Sequence, residues 1–169
     1  IDDQTLHDLA KQVGLALTQQ GLMLASAESC TGGWLGQIVT SIPGSSAWYQ
    51  SGFITYTANS KQKMLGISTK TLKEYGEVSE QIAREMAHGV VARSGAQVSV
   101  SITGIAGPGG GTTKKPVGMV CFAWEIKDNH MRSETRHFSG DREAVRQQSV
   151  AVAMQGLIAL LRDTDYSVA

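Results

Sequence analysis

The chain reads as an α/β protein, a three-layer α/β/α sandwich around a mixed, mostly parallel sheet. Three observations predict it. Short apolar or β-branched runs at residues 22–27, 48–57 and 98–103 alternate with longer segments whose apolar residues recur at helical spacing. Residues 117–126 and 130–138 form two further strand-like runs joined across Asp128-Asn129, the pattern of a hairpin. No internal repeat or low-complexity linker interrupts the 169 residues, so residues 1–169 are expected to form a single domain.

Taken in order, residues 3 to about 20 carry Leu6, Leu9, Val13 and Ala16 on one helical face, and Gly21 ends that helix. A buried strand follows at 22–27. Leu35, Ile38, Val39 and Ile42 then return to helical spacing and stop before Pro43-Gly44. Residues 48–57 include Tyr49, Phe53, Ile54, Thr55 and Tyr56, the aromatic and β-branched content of a second strand. Two short helical pieces are predicted near 59–65 and 69–75. Ser79 is placed to cap a longer helix with Ile82, Met86 and Val90 on one face, closed by Gly95. After the strand at 98–103 comes a loop, 104–116, holding five glycines and two prolines. Beyond the hairpin, Asp141 caps a final helix running to about Leu161. Its last part, 150–161, is apolar almost all round, which predicts deep burial or a subunit contact.

Composition narrows the function classes. Apolar residues make up 41% and charged residues 18%, a globular balance. Fifteen basic residues offset fifteen acidic ones, so no overall field recruits nucleic acid or an anionic membrane. The apolar C-terminal stretch is broken by Gln155 and Arg162 and is too short to span a bilayer. The amphipathic, polar N-terminus shows no secretory signal. Two cysteines, Cys30 and Cys121, are too few for a disulfide framework and fit a cytoplasmic protein. The four histidines lack metal-binding spacing, so no metal is expected.

Three segments could carry chemistry. The first is Ala27-Glu28-Ser29-Cys30-Thr31-Gly32-Gly33, at a strand-to-helix junction. A Ser or Cys there lies near the positive end of the following helix, where a nucleophile's conjugate base is favoured. The same residues also make an ordinary turn in which Thr31 caps the helix. The second is the 104–116 loop, by composition either a flexible connection or a ligand loop, whose length for a compact domain favours the ligand loop. Gly107-Pro108-Gly109 begins like GxGxxG but has Thr112 where the last glycine belongs, and no P-loop is present. The third is Gly140-Asp141-Arg142, where a helix N-terminus and an Arg could hold a phosphate or carboxylate, with Arg146 one turn on. Ser29 would need a base. No histidine sits in these segments, and neither the GxSxG elbow nor SxxK is present. Lys61 and Lys63 follow the second strand; two residues apart, only one can face a site.

Together these segments resemble the C-terminal domain family of the competence-damage-inducible protein CinA, and within it the stand-alone nicotinamide-nucleotide amidases. The resemblance runs from about Leu6 to Leu161. It rests on the Ala27–Gly33 motif, Gly44-Ser45-Ser46, Gly52-Phe53-Ile54-Thr55-Tyr56 followed by Lys61, and Val78-Ser79-Glu80. It continues through Thr103-Gly104-Ile105-Ala106-Gly107-Pro108, Lys115-Pro116-Val117-Gly118 and Gly140-Asp141-Arg142. The resemblance implies the same sandwich fold and cofactor-free hydrolysis of the carboxamide of nicotinamide mononucleotide in NAD salvage. It makes Ser29 the nucleophile, Lys61 the general base and Tyr56 a supporting hydroxyl. Cys30 neighbours the nucleophile, and in an extended conformation its side chain would point the other way. The substrate-binding residues it implies are Thr31, Gly32, Thr103, Gly104, Gly107 and Arg142, with Arg142 and the 104–111 loop on the phosphate. The lysine must then titrate well below its ordinary value of about 10.4. Two positions depart from the family pattern: Glu77, where a small residue is common, and the basic Thr112-Thr113-Lys114 stretch. A paralogue that binds nucleotide without turnover, or one that hydrolyses a different carboxamide, would share most of these residues. The small-molecule nucleotide is the expected partner, with self-association through the apolar final helix as a further possibility.

Overall fold

The computed structural model describes residues 1–128 and 130–164. Its helices are α1 (Asp3–Gln20), α2 (Trp34–Thr40), α3 (Ala58–Leu65), α4 (Thr69–Tyr75), α5 (Glu80–Ser94) and α6 (Arg142–Asp163). Its strands are β1 (Leu24–Glu28), β2 (Tyr49–Ile54), β3 (Val98–Gly104), β4 (Met119–Ile126) and β5 (His130–His137). The strands form one sheet in the order β2-β1-β3-β4-β5. β1 runs parallel to both β2 and β3, while the β3–β4 and β4–β5 pairs are antiparallel. The sheet is therefore mixed, with four strands pointing one way but its pairings split evenly between the two kinds.

Side-chain size sorts the two faces. On β3, Val98, Val100 and Ile102 join Val120, Phe122 and Trp124 of β4 in the larger core, beneath α1, α2 and α6. The opposite pleat carries Ala25, Ala27, Ser99, Ser101, Cys121 and Ala123. These small residues let α5 approach closely, and the Ser99 and Ser101 hydroxyls donate to the Ala87 and Ala83 carbonyls at 2.8 and 2.6 Å. α3, α4 and α5 form the second outer layer, through Leu65, Ile67, Ile82, Met86 and Val90. The all-round apolarity of the final helix is answered by burial within the chain. Val150, Met154, Leu157 and Leu161 lie in the core, and the buried Trp124 indole donates to the Ala153 carbonyl at 2.9 Å.

Boundaries move where caps consume residues. Gly21 takes a left-handed φ of 66°, and the following Leu22 N–H bonds the Leu17 carbonyl at 3.0 Å. Leu22 thus completes the end of α1, and the strand starts at Leu24. Ser79 accepts the Ile82 N–H at 3.1 Å and Asp141 the Ala144 N–H at 2.9 Å, so both expected caps are made. Asp128 turns the β4–β5 hairpin with φ 59°; Asn129, its expected partner, lies outside the described residues.

Candidate active site

Because β1, β2 and β3 are parallel, their C-terminal ends open at one edge of the sheet, where loops diverge and ligands bind in such folds. The ladders continue past the strand ends: the Ser29 N–H donates to the Ile102 carbonyl at 3.0 Å, and the Thr55 N–H to the Glu28 carbonyl at 2.9 Å. Ser29 is thereby fixed between its two neighbours. The turn then closes with the Gly32 N–H on the Ser29 carbonyl at 3.1 Å, with φ 58° at Gly32 and 104° at Gly33.

The expected cap of the next helix is corrected. Gly33 occupies the cap position and offers no side chain. The buried Glu28 carboxylate does that work, accepting the Leu35 and Gly36 N–H groups at 2.9 and 3.1 Å and the Thr31 hydroxyl at 2.6 Å. A charged acceptor at a helix N-terminus satisfies orphan donors and complements the helix dipole. Arg146 grips the turn from α6. Its guanidinium donates to the Cys30 and Thr31 carbonyls at 3.0 and 3.3 Å and stands 5.5 Å over the Trp34 ring. The Cys30 and Thr31 N–H groups find no acceptor on the backbone of another described residue.

Lys61 arrives from α3. A capping box between Thr57 and Ser60 starts that helix, and a helical side chain leans towards the N-terminus, here back over the strand ends. The residue is 1% exposed. Its Nζ lies 2.9 Å from Ser29 Oγ, 2.9 Å from the Thr55 carbonyl and 3.3 Å from the Tyr56 carbonyl. Burial holds the Lys61 amine below its ordinary range, opposed by the Glu77 carboxylate 3.7 Å away. Lys63 is exposed, so only Lys61 faces the site. Cys30 is buried, and that burial pushes its thiol up to about 12, leaving it protonated and a poor rival to Ser29 near neutrality.

These groups open into a cleft of about 420 Å³ whose lining includes Ser29, Lys61, Tyr56, Glu77, Thr103, Gly104, Gly107 and Arg142. That is within the size of small-molecule sites. Gly104 admits no side chain, since a Cβ there would lie 2.7 Å from Val120 Cγ2. Thr103 donates to the Glu77 carbonyl at 2.9 Å. Arg142 joins the 104–111 loop to the segment after β2, donating to the Gly107 carbonyl at 2.8 Å and the Tyr56 hydroxyl at 2.9 Å.

Three expected roles are relocated. The Tyr56 hydroxyl is on Arg142 and its ring is exposed; the Tyr56 group nearest Lys61 is the main-chain carbonyl. The Thr31 side chain is spent on Glu28, and Gly32 lies outside the cleft wall, so neither offers a side-chain contact to a ligand. Sequence reasoning overlooked the Glu28 cap and the Thr55 carbonyl, met Lys115, which also lines the cleft, only within a motif, and met Glu77 only as a departure from the family pattern. A main-chain carbonyl leaves no mark in sequence, and Glu28 acts seven and eight residues away, beyond any local capping signature. Among the described residues, no three His, Cys, Asp or Glu side chains converge as metal ligands would. No described helix is long and apolar enough to cross a membrane.

Comparison with known proteins gives a consistent picture. The family model of the CinA C-terminal domain matches residues 6–161. Nicotinamide-nucleotide amidohydrolase PncC of Enterobacter agglomerans is 47% identical over 155 residues, covering 92% of this chain and 94% of the relative. The protein of the same name from Escherichia coli K12 is 46% identical over the same shares of each chain. The crystal structure of the competence/damage-inducible protein CihA from Agrobacterium tumefaciens superposes with a TM-score of 0.89 at 43% identity, covering 92% of this chain and 95% of that one. A CinA superfamily protein from Klebsiella pneumoniae gives 0.90 at 35% identity, over 94% and 98%. Agreement of fold, motif order and family model over nearly the whole length leaves one assignment: the chain belongs to the CinA C-terminal domain family.

Proposed function

We propose that this protein hydrolyses the carboxamide of nicotinamide mononucleotide to nicotinate mononucleotide and ammonia, in cytoplasmic NAD salvage, through a serine–lysine mechanism. The observation that carries the reading is the 2.9 Å approach of a buried Lys61 Nζ to Ser29 Oγ at the floor of a nucleotide-sized cleft. The PncC relatives named above carry the activity in their names.

A neutral Lys61 amine has two N–H donors and one lone pair. The Thr55 and Tyr56 carbonyls accept the donors, which turns the lone pair to the Ser29 hydroxyl. Lys61 takes the Ser29 proton as Oγ bonds to the carboxamide carbon and the carbonyl electrons move onto oxygen. The Cys30 N–H group, at the cleft wall, supplies a donor for that oxyanion. The Lys61 ammonium then returns its proton to the departing nitrogen as the C–N bond breaks. Water, deprotonated by Lys61, attacks the acyl carbon; the bond to Ser29 Oγ then breaks as the Lys61 ammonium returns its proton to that oxygen, and the acid leaves. For the phosphate, Arg142 and the Ala106, Gly107, Gly109 and Gly110 N–H groups, which have no acceptor among the described residues, supply the donors.

Ammonia release from nicotinamide mononucleotide is the direct test. Ser29→Ala should lower kcat by about a thousandfold or more, and an undiminished rate in that variant would refute the serine mechanism. Nucleotide binding by the unaltered protein without ammonia release would point to a binding module instead.

A further inference from the structure

Glu77 supplies the only carboxylate among the described residues that line the cleft. Its main chain is anchored, since the Glu77 carbonyl accepts the Thr103 hydroxyl of β3. Its side chain is half exposed, with Oε1 3.7 Å from Lys61 Nζ and no hydrogen-bond partner of its own among the described residues. A carboxylate here favours the ammonium form of Lys61 and so opposes a base that must be neutral. Such a group is understandable if something in the cleft engages it during turnover. The remaining polar wall has the other sign: Arg142, Lys115, whose amine is tied to the Tyr75 carbonyl, and the unpartnered N–H groups of the 104–111 loop. The cleft thus offers a carboxylate beside the Ser29–Lys61 pair and an anion site on the loop side. That layout complements a ligand with a cation next to its carboxamide and an anion further along. An N-ribosylated pyridine carboxamide has this form, because its ring nitrogen is quaternary and its phosphate is remote.

We propose that Glu77 reads substrate charge: its carboxylate pairs with the cationic ring of an N-substituted pyridinium carboxamide, and this pairing draws it off Lys61 as the substrate seats. The assignment rests on the function proposed above. The substrate's own charge then helps release the base, and a neutral ring does neither. Other charged groups near Lys61 are committed elsewhere. On α5, packed beside α3, Glu80 accepts from Ser133 and Thr135, Arg84 donates to Ser133, and Glu85 accepts the Ser68 N–H. His88 pairs with Glu125, and Arg93 lies against Gly66. Lys115 donates to the Tyr75 carbonyl, Arg142 to Gly107 and Tyr56, and Lys63 faces solvent. In the turn after β1, burial pushes the Cys30 thiol up to about 12, so it stays uncharged.

The test is a calorimetric titration of Ser29→Ala and of Ser29→Ala/Glu77→Gln with nicotinamide mononucleotide and with its reduced, neutral dihydropyridine form. Glu77→Gln should weaken binding of the pyridinium form by about tenfold and leave the reduced form essentially unchanged, with Glu77→Asp restoring part of the loss. Equal changes for both ring forms, or none for either, would overturn the assignment. With Ser29 intact, the acid limb of kcat should lie at lower pH than that of kcat/KM, and Glu77→Gln should narrow the gap; coincident limbs in the unaltered enzyme would also overturn it. If the unaltered enzyme releases no ammonia, the amidase reading fails, while the two titrations still decide whether Glu77 reads ring charge.

Discussion

Lys61→Met separates catalysis from stability. The substitution keeps a flexible stem of similar length and removes the amine. Three hydrogen bonds are lost, to the Thr55 and Tyr56 carbonyls at 2.9 and 3.3 Å and to Ser29 Oγ at 2.9 Å, together worth about 1.5–4.5 kcal/mol. Against that, an ammonium on a residue 1% exposed carries a desolvation cost of several kcal/mol, only partly repaid by its neighbours. The variant should therefore be more stable than the parent by about 1–2 kcal/mol at pH 7, while kcat falls by about a hundredfold to ten-thousandfold. The difference narrows as pH rises. The folded-state pKa of Lys61 is lowered, so between that value and its ordinary one the unfolded chain holds a proton that the folded chain does not. The parent gains stability as pH rises through this window, by up to about 1.4 kcal/mol per pH unit, and the variant does not. Urea unfolding followed by fluorescence of the buried Trp48 and Trp124, from pH 7 upwards, measures the difference. A variant destabilised by 3 kcal/mol or more, on the order of a broken buried ion pair, or a difference independent of pH, would refute the assignment of Lys61 as a buried, neutral-leaning base.

Further outcomes follow from other contacts. Glu28→Gln puts an amide where three donors converge and should cost about 3 kcal/mol, with activity falling as the Ser29 turn loosens; an unchanged melting temperature would discount the cap. Gly156→Ala pushes a methyl group into the Trp124 ring and should cost about 1–3 kcal/mol, seen as altered near-UV dichroism. Cys30→Ala should leave turnover nearly unchanged, and the native Cys30 thiol, pushed up to about 12, should react with a thiol reagent at pH 8 only after unfolding; fast native labelling would contradict the buried thiol.

Much of the fold was legible because it is local. Helical spacing, Ser79 and Asp141 caps and glycine stops act within a few residues, and the elements they predict are present with shifts of one to three residues. Those shifts come from residues such as Leu22, which serve the end of one element and cannot begin the next. The site was legible as a set of motifs but not as geometry. Tyr56 was expected to bring its hydroxyl to the dyad, yet Arg142, 86 positions later, holds that hydroxyl. Thr31 was expected to cap a helix that Glu28 caps from across the turn.

Residue order by itself determined the alternation of strands and helices, the turn carrying Ser29, and the choice of Lys61 or Lys63 as the lysine available to it. Only the tertiary structure decided which lysine is buried, what surrounds its amine and which carboxylate stands beside it. Proton affinity depends on solvation and on charges through space, and both are set by how α3, the strand ends and the Glu77 segment pack together.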